Sequence, residues 1–130
     1  MLTNYDLVNI CRRNKIYLSD VIMKDTLKSL NKSKNMKLIV NLQSSTQDDE
    51  THWLVLIMKG NNCLYFDSFG MIPCKEIITF CKGKRLGYSA YIIQDIDSTQ
   101  CGLFCIALLH FLCLIKTLLY NYKMCCAFST

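Results

Sequence analysis

Residues 51–70 read THWLVLIMKGNNCLYFDSFG, and this stretch predicts an antiparallel β-hairpin. Two apolar runs, 53–58 and 63–66, are separated by a short polar segment that contains Gly60 and Asn61. Glycine and asparagine adopt the left-handed backbone that tight hairpin turns need. With the turn centred between these two residues, the numbers of facing residues sum to 121. His52 then faces Phe69.

The predicted register places an imidazole and a carboxylate on one face of the hairpin. His52 and Asp67 are diagonal neighbours, about 7–8 Å apart at Cα, which is close enough for their side chains to meet. Trp53, Leu64 and Phe66 are expected on the opposite face, in the core. A shift of one residue would separate His52 from Asp67, since each slip moves every side chain to the other face. An ordinary turn aspartate remains the alternative for Asp67.

Cys101 is placed differently from the other eight cysteines. It follows a polar segment and begins a long apolar stretch, which predicts a helix with Ser98 or Thr99 as its cap. The positive end of a helix dipole stabilises a thiolate, and the Cys101 amide could face a developing oxyanion. Gly102 would allow a substrate to approach the backbone. From position alone, a buried structural cysteine is the simpler interpretation.

The second histidine is excluded as a partner of Cys101. His110 lies nine residues further along the helix, which turns it to the opposite face. The same geometry argues against zinc bound by Cys101, Cys105 and His110, and no C-x-x-C pair occurs, so no metal site is predicted. His52 remains as the candidate base.

Composition bounds the class of protein. The 130 residues are 52% hydrophobic and 19% charged, which predicts one folded domain over 1–130 and excludes a disordered chain. The longest apolar stretch, 102–115, is shorter than the ~20 residues of a membrane span, so a core helix and no membrane contact are expected. The net charge of +5 allows weak DNA contact, although a solvated face is the favoured interpretation. Unpaired cysteines without an export signal indicate an intracellular, reducing compartment.

Other elements are predicted more briefly. Thr3 and Asp6 form a capping box for a helix that ends near Arg13. Strands are expected at 38–42 and 88–94, and a helix is expected from Pro73 to about Cys81. Residues 15–36 fit either a short strand with a turn or a second helix.

These residues together resemble the adenovirus protease (adenain) family. The resemblance is carried by Thr51-His52-Trp53, by the YFDSFG stretch at 65–70, and by Gln94 followed seven residues later by the CGLFC stretch at 101–105. That family shares a clan with the SUMO- and ubiquitin-like-protein-specific cysteine proteases. The stretches 2–7 and 20–25 are similar, more narrowly, to adenain-type proteases of Polinton/Maverick elements. Residues 112–130 depart from the family pattern and indicate a shortened C-terminus.

The resemblance implies an α+β, papain-like cysteine-protease fold. A central, mainly antiparallel sheet would be flanked by helices, with the nucleophile at the N-terminus of a buried helix. The implied site has Cys101 as nucleophile, His52 as general base, Asp67 as its orienting acid, Gln94 with the Cys101 amide as oxyanion hole, and Trp53 and Gly102 in support. Without the resemblance, Gln94 is an ordinary polar residue and Gln100 is an equal candidate.

The implied function is a cysteine endopeptidase that matures viral or transposon-encoded precursor proteins. Two alternatives stay open: an isopeptidase that removes ubiquitin-like modifiers, and an inactive remnant that only binds. The expected partner is a protein substrate such as a capsid precursor. No cofactor is required, although the resemblance allows DNA or a peptide as activator and the host nucleus or the virion as location.

Overall fold

A computed structural model describes residues 2–43, 52–89, 91–94 and 99–128, with the side chains of the last helix described through residue 116. Its elements, in chain order, are α1 (Asn4–Arg13), β1 (Asp20–Met23), a 3₁₀ helix (Lys24–Ser29), β2 (Asn35–Asn41), β3 (Trp53–Lys59), β4 (Asn62–Phe66), α2 (Lys75–Phe80), β5 (Arg85–Tyr88) and α3 (Cys101–Phe128). The predicted α+β class agrees with this arrangement.

The strands form one sheet in the order β1-β2-β3-β4-β5 within the described residues. The two central pairs, β2–β3 and β3–β4, are antiparallel. Both outer pairs, β1–β2 and β4–β5, are parallel. The expectation of a mainly antiparallel sheet therefore holds only for its centre, because each outer strand is reached through a helical crossover rather than a hairpin.

The predicted hairpin and its register are confirmed. Val55 pairs with Phe66 and Lys59 pairs with Asn62, so the facing numbers sum to 121 along the whole ladder. Gly60 has φ +59, the left-handed conformation that the turn requires. The alternation of the two strands is thereby fixed, and it decides which side chains reach each face of the sheet.

Helices cover both faces of the sheet. On one face, the side chains of alternate strand residues pack with α2 and the 3₁₀ helix in a core that includes Leu27, Leu38, Val40, Leu54, Leu56, Tyr65, Ile77 and Phe80. On the other face, α1 and α3 complete a second core that includes Leu7, Ile39, Trp53, Val55, Cys101, Cys105 and Leu109. The candidate residues Trp53 and Cys101 thus share one core.

The amino-terminal helix begins as predicted. The Thr3 hydroxyl accepts from the Asp6 backbone N–H at 3.2 Å, and the Asp6 carboxylate accepts from the Thr3 N–H at 2.8 Å. Two amides that the helix itself cannot satisfy are thereby paired. The ambiguous segment 15–36 forms β1 and the 3₁₀ helix, which favours the strand alternative.

Helix α3 is buried on one side only, which corrects the expected buried helix. Cys101, Cys105 and Leu109 face the core, whereas Leu103 and Phe111 are half-exposed. Among the described residues, no helix combines the length and the apolar character needed to cross a membrane. The backbone of α3 continues through residues 112–128, the segment that departs from the family pattern.

Three local predictions are wrong. The strand expected at 88–94 instead occupies Arg85–Tyr88, where it pairs in parallel with β4 across a helical crossover. Leu64 points to the expected face but is 42% exposed rather than in the core. Pro73 precedes α2, which begins after Cys74.

Candidate active site

Three candidate residues lie at the ends of secondary-structure elements. His52 directly precedes β3, Asp67 directly follows β4, and Cys101 is the first residue of α3. Because β3 and β4 are antiparallel, the start of one and the end of the other meet at the same edge of the sheet. Helix α3 packs against β3 there, which brings Cys101 to the same edge.

The contact between the imidazole and the carboxylate is present. His52 Nε2 lies 2.7 Å from Asp67 Oδ1, and the Phe69 backbone N–H donates to the same oxygen at 2.9 Å. The Asp67 side chain is fully buried and that of His52 is 17% exposed. The hydrogen bond occupies Nε2 and leaves Nδ1 as the nitrogen that can serve Cys101.

An aromatic ring holds the imidazole from its face. Phe69 stacks on His52 with ring centroids 4.5 Å apart and planes inclined by 20°. The hairpin register predicts these two residues opposite each other, and the stack extends that register past the ends of the strands. The hydrogen bond from Asp67 and this stack together limit how the imidazole can turn.

The second oxygen of Asp67 lies in the core. Within the described part of the chain, neither Asp67 Oδ2 nor Tyr65 Oη has a hydrogen-bond partner, and both are buried. Burial raises the pKa of Tyr65, and the charge of Asp67 raises it further. A buried carboxylate is stabilised by a close cation. The contact at Oδ1 makes His52 the group that can supply this charge.

Cys101 occupies the first helical position. The Phe104 N–H donates to the Gln100 carbonyl at 3.1 Å, so Gln100 is the cap residue rather than Thr99, while Ser98 lies outside the described residues. The Trp53 backbone N–H approaches Cys101 Sγ at 3.4 Å. The thiol is 3% exposed and sits where the helix dipole favours negative charge.

The site favours a thiolate. Burial alone would raise the pKa of Cys101, but the hydrogen bond with His52, the Trp53 N–H and the Gly102 N–H outweigh it, and the pKa lies below the usual value of 9.0. For His52, burial works against the cation, yet hydrogen bonds with Asp67 and Cys101 raise its pKa to about 9. Both shifts favour a thiolate on Cys101 beside an imidazolium on His52.

The other thiols lack this environment. Burial raises the pKa of Cys105 well above its ordinary value, and burial with a contact from Cys63 raises that of Cys81 to about 12. The residues that the structure describes contain no group of three His, Cys, Asp or Glu side chains arranged to hold a metal. His110 is exposed on α3, away from the core that contains Cys101. Cys125 and Cys126 lie outside the described side chains.

The amino-terminal segment supports both Trp53 and Gly102. The indole N–H of Trp53 donates to the Leu2 carbonyl at 3.1 Å. A Cβ at Gly102 would lie 3.3 Å from side-chain atoms of Leu2 and Leu7, so glycine permits this close packing. Trp53 packs in the core on the α3 face while its own amide contacts Cys101. Trp53 therefore lies on the core face that the hairpin register predicts, and its main chain reaches the sulfur of Cys101.

Gln94 is held by the turn that carries Asp67. Its side-chain Oε1 accepts from the Ser68 hydroxyl, and its backbone N–H donates to the Ser68 carbonyl at 3.1 Å. Both residues are nearly fully buried, at 2% and 1% exposure. Gln100, the alternative candidate, is exposed at the start of α3.

Sequence reasoning missed two contributors to the site. They are Ser68, which donates to Gln94, and Leu2, whose carbonyl accepts from the Trp53 indole. Neither contact has a local signal, since Ser68 and Gln94 are 26 residues apart and Leu2 and Trp53 are 51 apart. The contact of Phe69 with His52 could be predicted from the sequence, because the hairpin register places the two residues opposite each other.

Comparisons with known proteins show a similarity of structure but none of sequence. No family model and no curated protein matches the sequence. The structure is similar to the crystal structure of the ASFV pS273R protease, with a TM-score of 0.56 and 14% sequence identity. The similarity covers 84% of this chain and 56% of that one, so this chain spans little more than half the length of that protease. It shows that this chain has a fold found in a protease.

Proposed function

We propose that this protein is a cysteine peptidase in which Cys101 is the nucleophile, His52 the general acid and base, and Asp67 the residue that orients His52. The observation that carries the proposal is the arrangement of His52. Its Nε2 contacts Asp67 at 2.7 Å, and its ring also bonds a Cys101 thiol whose pKa is lowered. The fold shared with a solved protease structure supports the same class of reaction.

The first half-reaction is acylation. The Cys101 thiolate attacks the carbonyl carbon of a peptide bond, and the carbonyl oxygen takes up the negative charge. The Cys101 N–H, at a helix position where the helix supplies no acceptor, and the Gln94 amide are the donors for this oxyanion. As the C–N bond breaks, the His52 imidazolium gives its Nδ1 proton to the leaving amine, and a thioester remains.

The second half-reaction is hydrolysis of the thioester. His52, now neutral, takes a proton from water, and the resulting hydroxide attacks the carbonyl carbon. The C–S bond breaks, the carboxylic acid leaves, and the thiolate–imidazolium pair forms again. Asp67 holds His52 through Nε2 in both half-reactions and stabilises the imidazolium at each stage where it forms.

The substrate is a protein, and we propose precursor proteins of a virus or a transposon, with cleavage inside an infected or host cell. The adenain resemblance in the His52, Asp67 and Cys101 segments motivates this substrate class and also a DNA or peptide activator. The +5 charge of the chain is compatible with contact to DNA.

The test is cleavage of a peptide library and of capsid-type precursors, each with and without duplex DNA. We expect cleavage by the wild type, none by Cys101→Ala or His52→Ala, and full cleavage by Cys113→Ala, which removes a half-buried thiol from the same helix. Equal cleavage by the wild type and Cys101→Ala would contradict the proposal. Labelling of Cys101 by a modifier vinyl sulfone, without peptide cleavage, would instead favour removal of ubiquitin-like modifiers.

A further inference from the structure

The turn after β4 carries a side chain that the catalytic proposal does not use. Ser68 follows Asp67 directly and is 1% exposed, and the turn is closed by a Gly70 N–H that donates to the Asp67 carbonyl at 2.9 Å. Its hydroxyl donates to Oε1 of Gln94, which is also buried. A buried hydroxyl is satisfied by such a bond, and here its partner is the side chain proposed for the oxyanion hole.

We propose that Ser68 is a positioning residue that fixes the Gln94 side-chain amide in the orientation needed to donate to the oxyanion. The inference rests on the proposed peptidase function and names a device within that same site. Its basis is the pairing of Ser68 with Gln94 through both side chain and main chain.

The main-chain pairing fixes where Gln94 sits. The Ser68 carbonyl accepts from the Ile93 N–H at 2.9 Å and from the Gln94 N–H at 3.1 Å. Residues 91–94 form no strand, so these two bonds tie an irregular segment to the end of β4. Ser68, which directly follows Asp67, thereby sets the position of Gln94 relative to Asp67.

The side-chain bond is made to the oxygen of the Gln94 amide. The oxygen and the NH₂ group of glutamine are similar in size, so shape alone selects poorly between the two orientations. With the Ser68 proton on Oε1, the NH₂ group is directed away from Ser68. The reversed orientation would present an oxygen to a developing negative charge, which raises the barrier instead of lowering it.

One turn therefore organises both catalytic functions. Asp67 Oδ1 orients His52 for proton transfer, and the adjacent Ser68 hydroxyl orients Gln94 for charge stabilisation. A change at Ser68 that leaves the turn intact should affect the oxyanion without affecting the thiolate. This separation makes the proposal testable.

The experiment is a double-mutant cycle of Ser68→Ala and Gln94→Ala, read by kcat and KM on the best peptide substrate. Because one oxyanion donor is worth about 10²–10³ in kcat, we expect Ser68→Ala to lower kcat by about 10–100-fold with KM within about twofold. In the Gln94→Ala background, Ser68→Ala should have no further effect. Ser89→Ala removes a hydroxyl from the same connection, where it accepts from the exposed Tyr91 N–H at 3.3 Å, and should leave kcat unchanged.

A second readout separates positioning from folding. The rate of Cys101 alkylation by iodoacetamide depends on the thiolate and needs no oxyanion hole, so it should be equal in the wild type and Ser68→Ala. Ser68→Thr keeps the hydroxyl and should recover part of the lost kcat.

Additive losses in the cycle, full activity of Ser68→Ala, or a matching fall in the alkylation rate would each overturn the role of Ser68. If the wild type cleaves no substrate, the proposed function fails first. Failure of the proposed function can be told apart from failure of the Ser68 role, because it is seen with the wild type alone.

Discussion

His52 Nε2 lies 2.7 Å from Asp67 Oδ1, and this oxygen also accepts the Phe69 N–H at 2.9 Å. The two residues are diagonal neighbours across a hairpin whose facing numbers sum to 121. The main chain of its own turn therefore fixes the Asp67 carboxylate, and the fixed carboxylate in turn orients the His52 imidazole. A buried carboxylate fixed in this way raises the pKa of its partner and sets which imidazole nitrogen faces the thiol.

Removing the charge of Asp67 should impair proton transfer. Because general acid–base catalysis contributes about 10²–10⁴-fold, we expect Asp67→Asn to lower kcat by about 10²-fold or more. Asp20→Asn, at an exposed carboxylate in β1, serves as the matched control and should retain activity. Steady-state kinetics at neutral pH measure both, and a loss of less than threefold in Asp67→Asn would contradict the role of Asp67.

The protonation of His52 can be followed directly by NMR. In His110→Gln, the ring C–H signals of the remaining histidine should titrate with a midpoint of about 9. The folded-state pKa exceeds 6.5, so protonation of His52 stabilises the fold fully below pH 6.5, and this contribution is lost as the pH rises through about 9. Adding Asp67→Asn should lower the midpoint. A midpoint at or below 6.5 in the parent would argue against the ion pair.

The capping box of α1 should contribute to stability without affecting chemistry. Thr3→Ala leaves the Asp6 N–H without its side-chain acceptor, and we expect the free energy of unfolding to fall by about 1 kcal/mol. Asn9→Ala, at an exposed site of the same helix, should change it by less than about 0.5 kcal/mol. Denaturant unfolding measures both variants, and equal effects would mean that the cap is not formed.

The hairpin turn should tolerate only glycine at Gly60. Its φ is +59, and a left-handed conformation costs an L-residue about 1–2 kcal/mol, so Gly60→Ala should destabilise by about that amount. Gly87 lies in β5 without a left-handed φ, and at both sites a Cβ would meet nothing within 4 Å. Gly87→Ala should therefore be neutral or slightly stabilising in the same unfolding experiment. Equal destabilisation of the two variants would contradict a turn centred on Gly60.

Local patterns were sufficient for the parts of the fold whose partners are close in sequence. The hairpin, the helix cap at Thr3 and the helix start at Cys101 follow from turn chemistry, capping and apolar periodicity. The parallel strand Arg85–Tyr88 does not, because its partner β4 lies on the far side of α2 and no local pattern encodes the pairing.

The contacts of the candidate site also divide into those that local sequence patterns predict and those that depend on tertiary structure. The meeting of His52 and Asp67 could be derived from the register. Cys101 was linked to His52 by the exclusion of His110, and only the family resemblance joined all three residues in one site. The bond from Ser68 to Gln94 could not be predicted, since both are small or ordinary polar residues whose meaning depends on tertiary contact.

The most direct measurement is the ionisation of Cys101 itself, followed as the difference in thiolate ultraviolet absorbance between the wild type and Cys101→Ala. We expect one thiol that titrates below the ordinary value of 9.0, and we expect its pKa to rise when His52→Ala is introduced into both proteins. A difference titration at or above 9.0 that is unaffected by the His52 substitution would contradict the thiolate–imidazolium pair on which the proposed chemistry depends.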